Sequence, residues 1–383
     1  PYDVLVAGFR TNTVGILRLW DAQAASEFDF HIFSKGNYVK AVAGRERVEA
    51  LNRVLYPADD VEAGRQLRLA LEYFLVACAV RDVVDRFRRR HAEAWELFPD
   101  KMVFQLNDTH PALAVAELMR FFVDDAGVPW ATAWELTRAS CNYTNHTLLP
   151  EALEKWPVRM FQRLLPRLLD IIYEINARFL SEVSRRWPGD NNRMQRMSII
   201  EEGPEPQVRM AYLATVGSYS VNGVAELHST LLQQGLFSDF YELWPEKFNN
   251  KTNGVTQRRW LAWCNPGLSE LINKTIGDSW VTHLDQLAGL APLATDAEFQ
   301  KSWHQVKQAN KSRLAELVET ECGVRFNVDS MFDVQVKRIH EYKRQLLNIL
   351  HVIHLYDRIK RGDISNWTPR CVLIGGKAAP GYH

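Results

Sequence analysis

From Phe332 to Arg344 the chain reads Phe-Asp-Val-Gln-Val-Lys-Arg-Ile-His-Glu-Tyr-Lys-Arg, an apolar stretch that runs directly into clustered cations. Read as a strand feeding a helix over 337–359, the spacing puts Lys337, His340 and Arg344 on one helical face, with Lys343 three residues after His340. Cations at a helix N-terminus oppose its dipole, so several there cost stability unless an anion sits between them. Phosphate is the anion this pattern suits. On the residues alone, a solvated helix start carrying ordinary Lys and Arg is the alternative.

Other polar side chains fall where strands should end. A strand over 102–106, the turn Asn107-Asp108-Thr109-His110 and a helix over 111–122 with Pro111 in its first turn form one unit. Asp108 or Thr109 could serve there as an ordinary N-cap. A second unit is a strand over 140–144 followed by Asn145-His146-Thr147 and a helix from near Pro150, which sets His146 in the turn where open α/β sheets place ligands. A third strand is expected over 210–218, before a helix after Asn222. Strand, polar turn, helix is the grammar of an α/β fold.

Three further helices follow from apolar spacing, over 42–52, 67–87 and 164–187, the last closed by Pro188-Gly189-Asp190. Beyond Lys251-Thr252-Asn253-Gly254 the composition changes, so the domain boundary is placed between 253 and 254. A second α/β sheet begins with strands over 331–336 and 370–374, the latter running into Gly375-Gly376-Lys377. A length of 383 residues suits more than one core.

Lys plus Arg and Asp plus Glu number 46 each, leaving no global field to gather nucleic acid or press the chain onto anionic lipid. No apolar run is long enough to cross a bilayer. Cys78, Cys141, Cys264, Cys322 and Cys371 show no metal-ligand spacing, so no metal site is expected, and they read as reduced, buried thiols of a cytosolic protein. A start at Pro1 and a stop at His383 after an apolar strand read as two cut ends.

The segments VQVKRIHEYKRQLLN, QLNDTHPALAVAELMR, YTNHTLLPEALEKWP, NKTNGVTQRRW, RVLYPADDVEAGRQLRL and GGKAAPGYH resemble, in order and spacing, those of the glycogen/maltodextrin (α-glucan) phosphorylases. That resemblance implies two Rossmann-like domains facing a cleft, the glycosyltransferase B type, truncated here at both ends. Residues 1–253 would be the C-terminal part of the N-terminal glucan and catalytic domain, and 254–383 the beginning of the cofactor- and phosphate-binding domain. It implies pyridoxal 5'-phosphate as cofactor, with Lys337 on its phosphate and Trp260 nearby, while Arg338 and Lys343 hold the substrate phosphate. His146 would bind the sugar, with its backbone carbonyl near the anomeric carbon, and Asp108 would lie close by. Asn253 would help hold the glucosyl unit, His340 and Tyr342 would flank the substrate, and Asp59 and Asp60 would sit on a mobile gate. Tyr382 would stand at the cleft mouth.

The implied partners are an α-1,4-glucan and inorganic phosphate, in a cytosolic homodimer. The family's Schiff-base lysine would lie beyond His383, so the chain by itself is expected to be inactive. Two departures bear on regulation. The gate of the animal enzymes reads YPNDNFF, whereas Asp60 and Val61 here replace an amide and an aromatic. Asp85 stands where an arginine precedes the helical Phe in the nucleotide-activated enzymes, so no activation by AMP is expected. Gln257 replaces a proline, with little consequence expected. A nucleotide-sugar glycosyltransferase of the same architecture and a non-catalytic glucan binder are the rival functions.

Overall fold

The computed structural model describes residues 1–55, 57 and 59–378, and the chain divides into two units, Pro1–Asn253 and Gly254–His383. The first unit opens with an antiparallel hairpin of β1 (Tyr2–Ala7) and β2 (Val14–Leu19). Helix α1 (Tyr38–Glu49) starts where the Asn37 side chain accepts a hydrogen bond from the Lys40 amide. Helix α2 (Glu62–His91) is long because its apolar side chains recur at helical spacing. Leu69, Val76, Val80, Val84 and Phe87 are all buried along one stripe. Arg88, Arg89, Arg90 and His91 fill its last turn, where positive charge complements the helix dipole.

Among the described residues the central sheet has the order β3-β4-β8-β9. Its strands are β3 (Phe104–Asn107), β4 (Cys141–Thr144), β8 (Ser220–Gly223) and β9 (Phe248–Asn250), and each neighbouring pair is parallel. Parallel strands need helical crossovers, and helix α3 (Leu113–Arg120) is one of them, with every residue from Leu113 to Met119 buried. Helix α4 (Trp130–Ser140) leads into β4. A small antiparallel sheet, β5 (Lys155–Pro157), β7 (Gln207–Arg209) and β6 (Ile200–Glu201), lies beside the helix α5 (Pro166–Arg186). Asn176 on α5 pins that region, accepting from the Ile199 amide at 2.8 Å and donating to the Ser198 hydroxyl at 3.1 Å.

Two expectations are corrected in this unit. The stretch read as a strand over 210–218 is the helix α6 (Met210–Val216), and the strand comes later, as β8. Six of the seven α6 residues are buried, so the segment is apolar on nearly every face and carries no periodicity to separate helix from strand. Gly217 closes α6 against α3, because a Cβ there would fall on the Val115 side chain. The helix expected from Pro150 is only a single 3-10 turn, Pro150–Ala152, before β5.

The second unit has its own core, where Ile272, Trp280 and Val281 pack with Leu261, Leu268, Ile276, Leu287 and Leu290. Helix α7 (Pro266–Ile276) begins at Asn265, whose side chain accepts from Leu268, and α8 (Ala297–Cys322) begins at Asp296, whose carboxylate accepts from Phe299. Strands β10 (Met331–Val336) and β11 (Arg370–Gly375) pair in parallel, with helix α9 (Gln345–Lys360) between them in the chain. The cysteines do not behave as a buried set: Cys141 is buried, whereas Cys264 and Cys322 are exposed near helix ends of the second unit. No helix among the described residues is long and apolar enough to cross a membrane.

Candidate active site

The carboxyl ends of β3, β4, β8 and β9 carry polar side chains in register. Asn107 lies opposite Thr144, Thr144 opposite Asn222, and Gly223 opposite Asn250. The Thr144 hydroxyl donates to Asn222 Oδ1 at 2.7 Å and accepts from Gln105 Nε2 at 2.9 Å, locking three strands together at this edge. Buried Asn145 continues the tie, its amide N–H donating to Asn222 O at 3.0 Å and its side chain accepting from Thr147 N at 3.0 Å. His146 thus leaves the sheet from a rigid base. Its imidazole is exposed, with Nε2 at 2.6 Å from the Asn107 amide oxygen. An amide oxygen only accepts, so this contact puts the proton on Nε2 and leaves Nδ1 as an acceptor when the ring is neutral.

Asp108 adopts a left-handed backbone, φ 75°, uncommon outside glycine but tolerated by Asp. Its amide donates to Thr144 O at 3.1 Å, and its carboxylate accepts from the Thr109 amide at 2.7 Å. Asn253 is exposed, yet its backbone N–H donates to Val224 O at 3.0 Å, which brings it to the same sheet edge. Asp108, His146 and Asn253 therefore meet on one edge of the first unit. Sequence reasoning passed over Asn107 and Asn222. Each sits at or beside a strand end as a polar residue, Asn107 closing β3 and Asn222 one residue before the end of β8.

Beside this edge lies a buried carboxylate pair. Glu72 on α2 and Glu154 before β5 both have their carboxyls pushed up, in each case first by burial, with the Glu154 charge adding to the rise at Glu72. Arg68 contacts Glu72 at 3.5 Å, and His110 lies 4.0 Å from Glu154. Arg68 also holds the Asp59 carboxylate at 2.8 Å, and Arg65 donates to the Asp59 carbonyl at 3.0 Å. Asp59 is thus tethered to α2, while Asp60 is exposed. Because folding raises the Glu72 value above 4.5, the folded chain binds a proton that the unfolded chain releases. The stabilising contribution of protonated Glu72 is then full below about 4.5 and is lost as pH rises toward about 9. Glu72→Gln is expected to flatten this decline and to unfold at higher denaturant than the wild type at pH 8. Parallel stability profiles for the two proteins would refute it.

In the second unit the cation-rich segment is not a continuous helix. After β10 the chain forms an irregular loop, a 3-10 turn over Glu341–Lys343, and a left-handed Arg344 at φ 58° before α9 begins. Lys337, His340 and Arg344 accordingly do not share a helical face. Side chains in the same segment satisfy its backbone instead: His340 Nδ1 accepts from Tyr342 N, Gln345 Nε2 donates to Arg338 O at 2.9 Å, and Gln335 Nε2 donates to Lys343 O at 3.0 Å. Lys337 and Arg338 are exposed and Lys343 half-buried, its ammonium 5.4 Å from the centre of the Tyr342 ring. Among the described residues none of these three cations is paired with a carboxylate.

The loop is pressed against the end of β11. A Cβ on Gly376 would collide with the Lys337 carbonyl oxygen and crowd its carbon at 3.2 Å. Gly376→Ala is expected to cost about 1–3 kcal/mol of stability, the usual range for overpacking, and to displace Lys337. An unchanged denaturation midpoint would show that the strand end yields freely. Trp260, in the turn Arg258–Trp263, is 70% exposed. Gln257 is buried, its amide donating to Val281 O at 3.0 Å. Tyr382 lies outside the described residues.

Parallel strands tied by side-chain hydrogen bonds near their carboxyl ends, beside a turn that exposes a histidine, define an open α/β protein. The chain belongs to the carbohydrate phosphorylase family, whose model matches residues 1–383. It is 53% identical to the brain form of glycogen phosphorylase from Ovis aries and from Homo sapiens, and 51% identical to the muscle form from Bos taurus. Each comparison runs over 390 aligned positions, covering 100% of this chain and 46% of the relative, so the chain spans about half the length of these proteins.

Proposed function

We propose that the protein containing this chain is an α-1,4-glucan phosphorylase, which transfers the terminal glucosyl unit of a glucan to inorganic phosphate with retention, giving α-D-glucose 1-phosphate. The observation that carries this reading is the segment from β10 to α9 in a chain of the phosphorylase family. Among the described residues it presents Lys337, Arg338 and Lys343 without carboxylate partners, and such cations on a stitched loop suit oxyanions. Arg338 and Lys343 would hold the substrate phosphate. That phosphate would give a proton to the glycosidic oxygen as the bond from the anomeric carbon breaks, and one of its oxygens would then bond to that carbon. His146 and Asn253 would bind the sugar, with the His146 carbonyl dipole favouring positive charge developing at the anomeric carbon. Asp108 would support them, and His340 and Tyr342 would flank the phosphate side.

The donor set also fits the phosphate of pyridoxal 5'-phosphate: Lys337 is exposed and its backbone is held by the close approach of Gly376, and Trp260 offers an exposed indole. When bound, that cofactor would supply a second phosphate to exchange charge and protons with the first. Asp59, tethered through Arg68, and Asp60 would belong to the gate that excludes water from the reacting centre. Asp85 accepts from Arg81 and Arg86 pairs with Asp82, so this stretch of α2 offers no uncompensated cation for a nucleotide phosphate, and we infer no activation by AMP there. On the family resemblance alone, the whole protein would work in the cytosol as a homodimer.

The test is to incubate the intact protein with maltoheptaose and inorganic phosphate. α-D-Glucose 1-phosphate is expected, and it should depend on phosphate. Release of free glucose, or turnover that requires a nucleotide sugar, would overturn the reading.

A further inference from the structure

We propose that Asn107 is a positioning residue for sugar recognition: its side-chain oxygen takes the Nε2–H of His146 and holds the ring so that Nδ1 accepts a hydrogen bond from one hydroxyl of the glucosyl unit. That hydroxyl is thereby read as a donor, which makes Asn107 a determinant of specificity. The inference rests on the glucan-handling reading above and deepens it.

The backbone at His146 is held on both sides. Asn145 is fully buried, its side-chain amide donating to the Tyr143 hydroxyl at 3.1 Å and its side-chain oxygen accepting from Thr147 N–H at 3.0 Å. Asn145 N–H also donates to Asn222 O at 3.0 Å. What these bonds leave free is rotation of the imidazole itself, and Asn107 supplies the stop. Asn107 ends β3 opposite Thr144, and the left-handed Asp108 that follows it donates its N–H to Thr144 O at 3.1 Å, turning the chain toward β4. From there Asn107 Oδ1 lies 2.6 Å from His146 Nε2.

The two ways of presenting a neutral imidazole differ in what they ask of a ligand. With Nε2–H given to Asn107, Nδ1 carries a lone pair and no proton, so a hydroxyl meeting it must donate. Turned over, or as the other tautomer, the ring would present an N–H and ask the hydroxyl to accept. Asn107 and His146 are both exposed, which leaves the imidazole open to a ligand. A neutral hydrogen bond in contact with water adds little to stability, so this one sets the direction of the ring and not the fold.

The experiment uses the intact protein with its histidine nitrogens isotope-labelled, as wild type, Asn107→Leu and Asn107→Asp. By NMR the wild-type His146 is expected to carry its proton on Nε2, and adding glucose should shift the Nδ1 resonance in the direction of an acceptor nitrogen that has gained a hydrogen bond. Binding of glucose is then compared with that of its 2-, 3-, 4- and 6-deoxy and deoxyfluoro analogues, since fluorine in place of a hydroxyl cannot donate. At one position the deoxy and the fluoro sugar should both bind several-fold more weakly than glucose. Asn107→Leu should unfold at the same denaturant concentration as the wild type, bind glucose several-fold more weakly and lose the discrimination at that position. Asn107→Asp keeps an accepting oxygen and should retain it. A proton found on Nδ1 of the wild type, or fluorine tolerated wherever deoxygenation weakens binding, would overturn the proposal. If His146→Ala abolishes glucose binding while Asn107→Leu binds every sugar as the wild type does, the inference fails and the functional reading stands. No glucose binding by the wild type overturns both.

Discussion

Replacing Arg338 or Lys343 by alanine is expected to lower the rate of phosphorolysis by about 100- to 1,000-fold, the range seen when one preorganised donor to developing charge is removed. Both cations leave the segment after β10 at positions set by its own side chains, with Gln345 bonded to Arg338 O and Gln335 bonded to Lys343 O. The backbone is thus held before any phosphate arrives, and truncation removes charge without removing the scaffold. Arg338→Lys should recover only part of the loss, because an ammonium cannot make the two parallel bonds of a guanidinium. The measurement is the initial rate of glucose 1-phosphate formation by the intact protein at varied phosphate. Variants of both residues that kept their rates at subsaturating phosphate would remove the phosphate site from this loop.

The second large effect concerns stability. Phe87→Ala is expected to destabilise the first unit by about 3–5 kcal/mol, the cost of emptying a fully buried aromatic position. Phe87 is 0% exposed and its ring lies 5.4 Å from Trp95 and 5.1 Å from Phe98, centre to centre. Trp95 in turn meets Phe121 and Phe122 at 5.5 and 5.6 Å, so the ring anchors α2 to the helical layer beneath the sheet. Chemical denaturation followed by tryptophan fluorescence reads the change. A loss under 1 kcal/mol would mean that the cluster collapses around the void far better than a well-packed core does.

These two predictions draw on parts of the chain that were unequally legible. The stripe from Leu69 to Phe87 could be read because helical periodicity is a local property, written wherever one face is buried and the other is wet. The turn from Asn107 to His110 could be read for a similar reason, since a polar break between an apolar run and a proline-started helix needs no distant partner. Residues 210–218 could not, because a segment buried on nearly all sides has no wet face to set its phase. The segment from Lys337 to Arg344 misled differently. Its spacing suits a helix, but side chains of Gln335, His340 and Gln345 outcompete the helical hydrogen bonds, and Arg344 turns left-handed. The exposed positions of Cys264 and Cys322 likewise depend on which faces of the second unit are covered.

By itself the sequence determined the phosphorylase membership, the α/β class, and which residue types are available for sugar and phosphate, because motifs and periodicity are carried by neighbours along the chain. Only the tertiary structure decided that Asn107 orients His146 and that Asn222 ties two strands at the same edge. Those partners lie between 39 and 78 residues apart where they bond across the sheet, and parallel register, which no local pattern encodes, is what brings them within hydrogen-bonding distance.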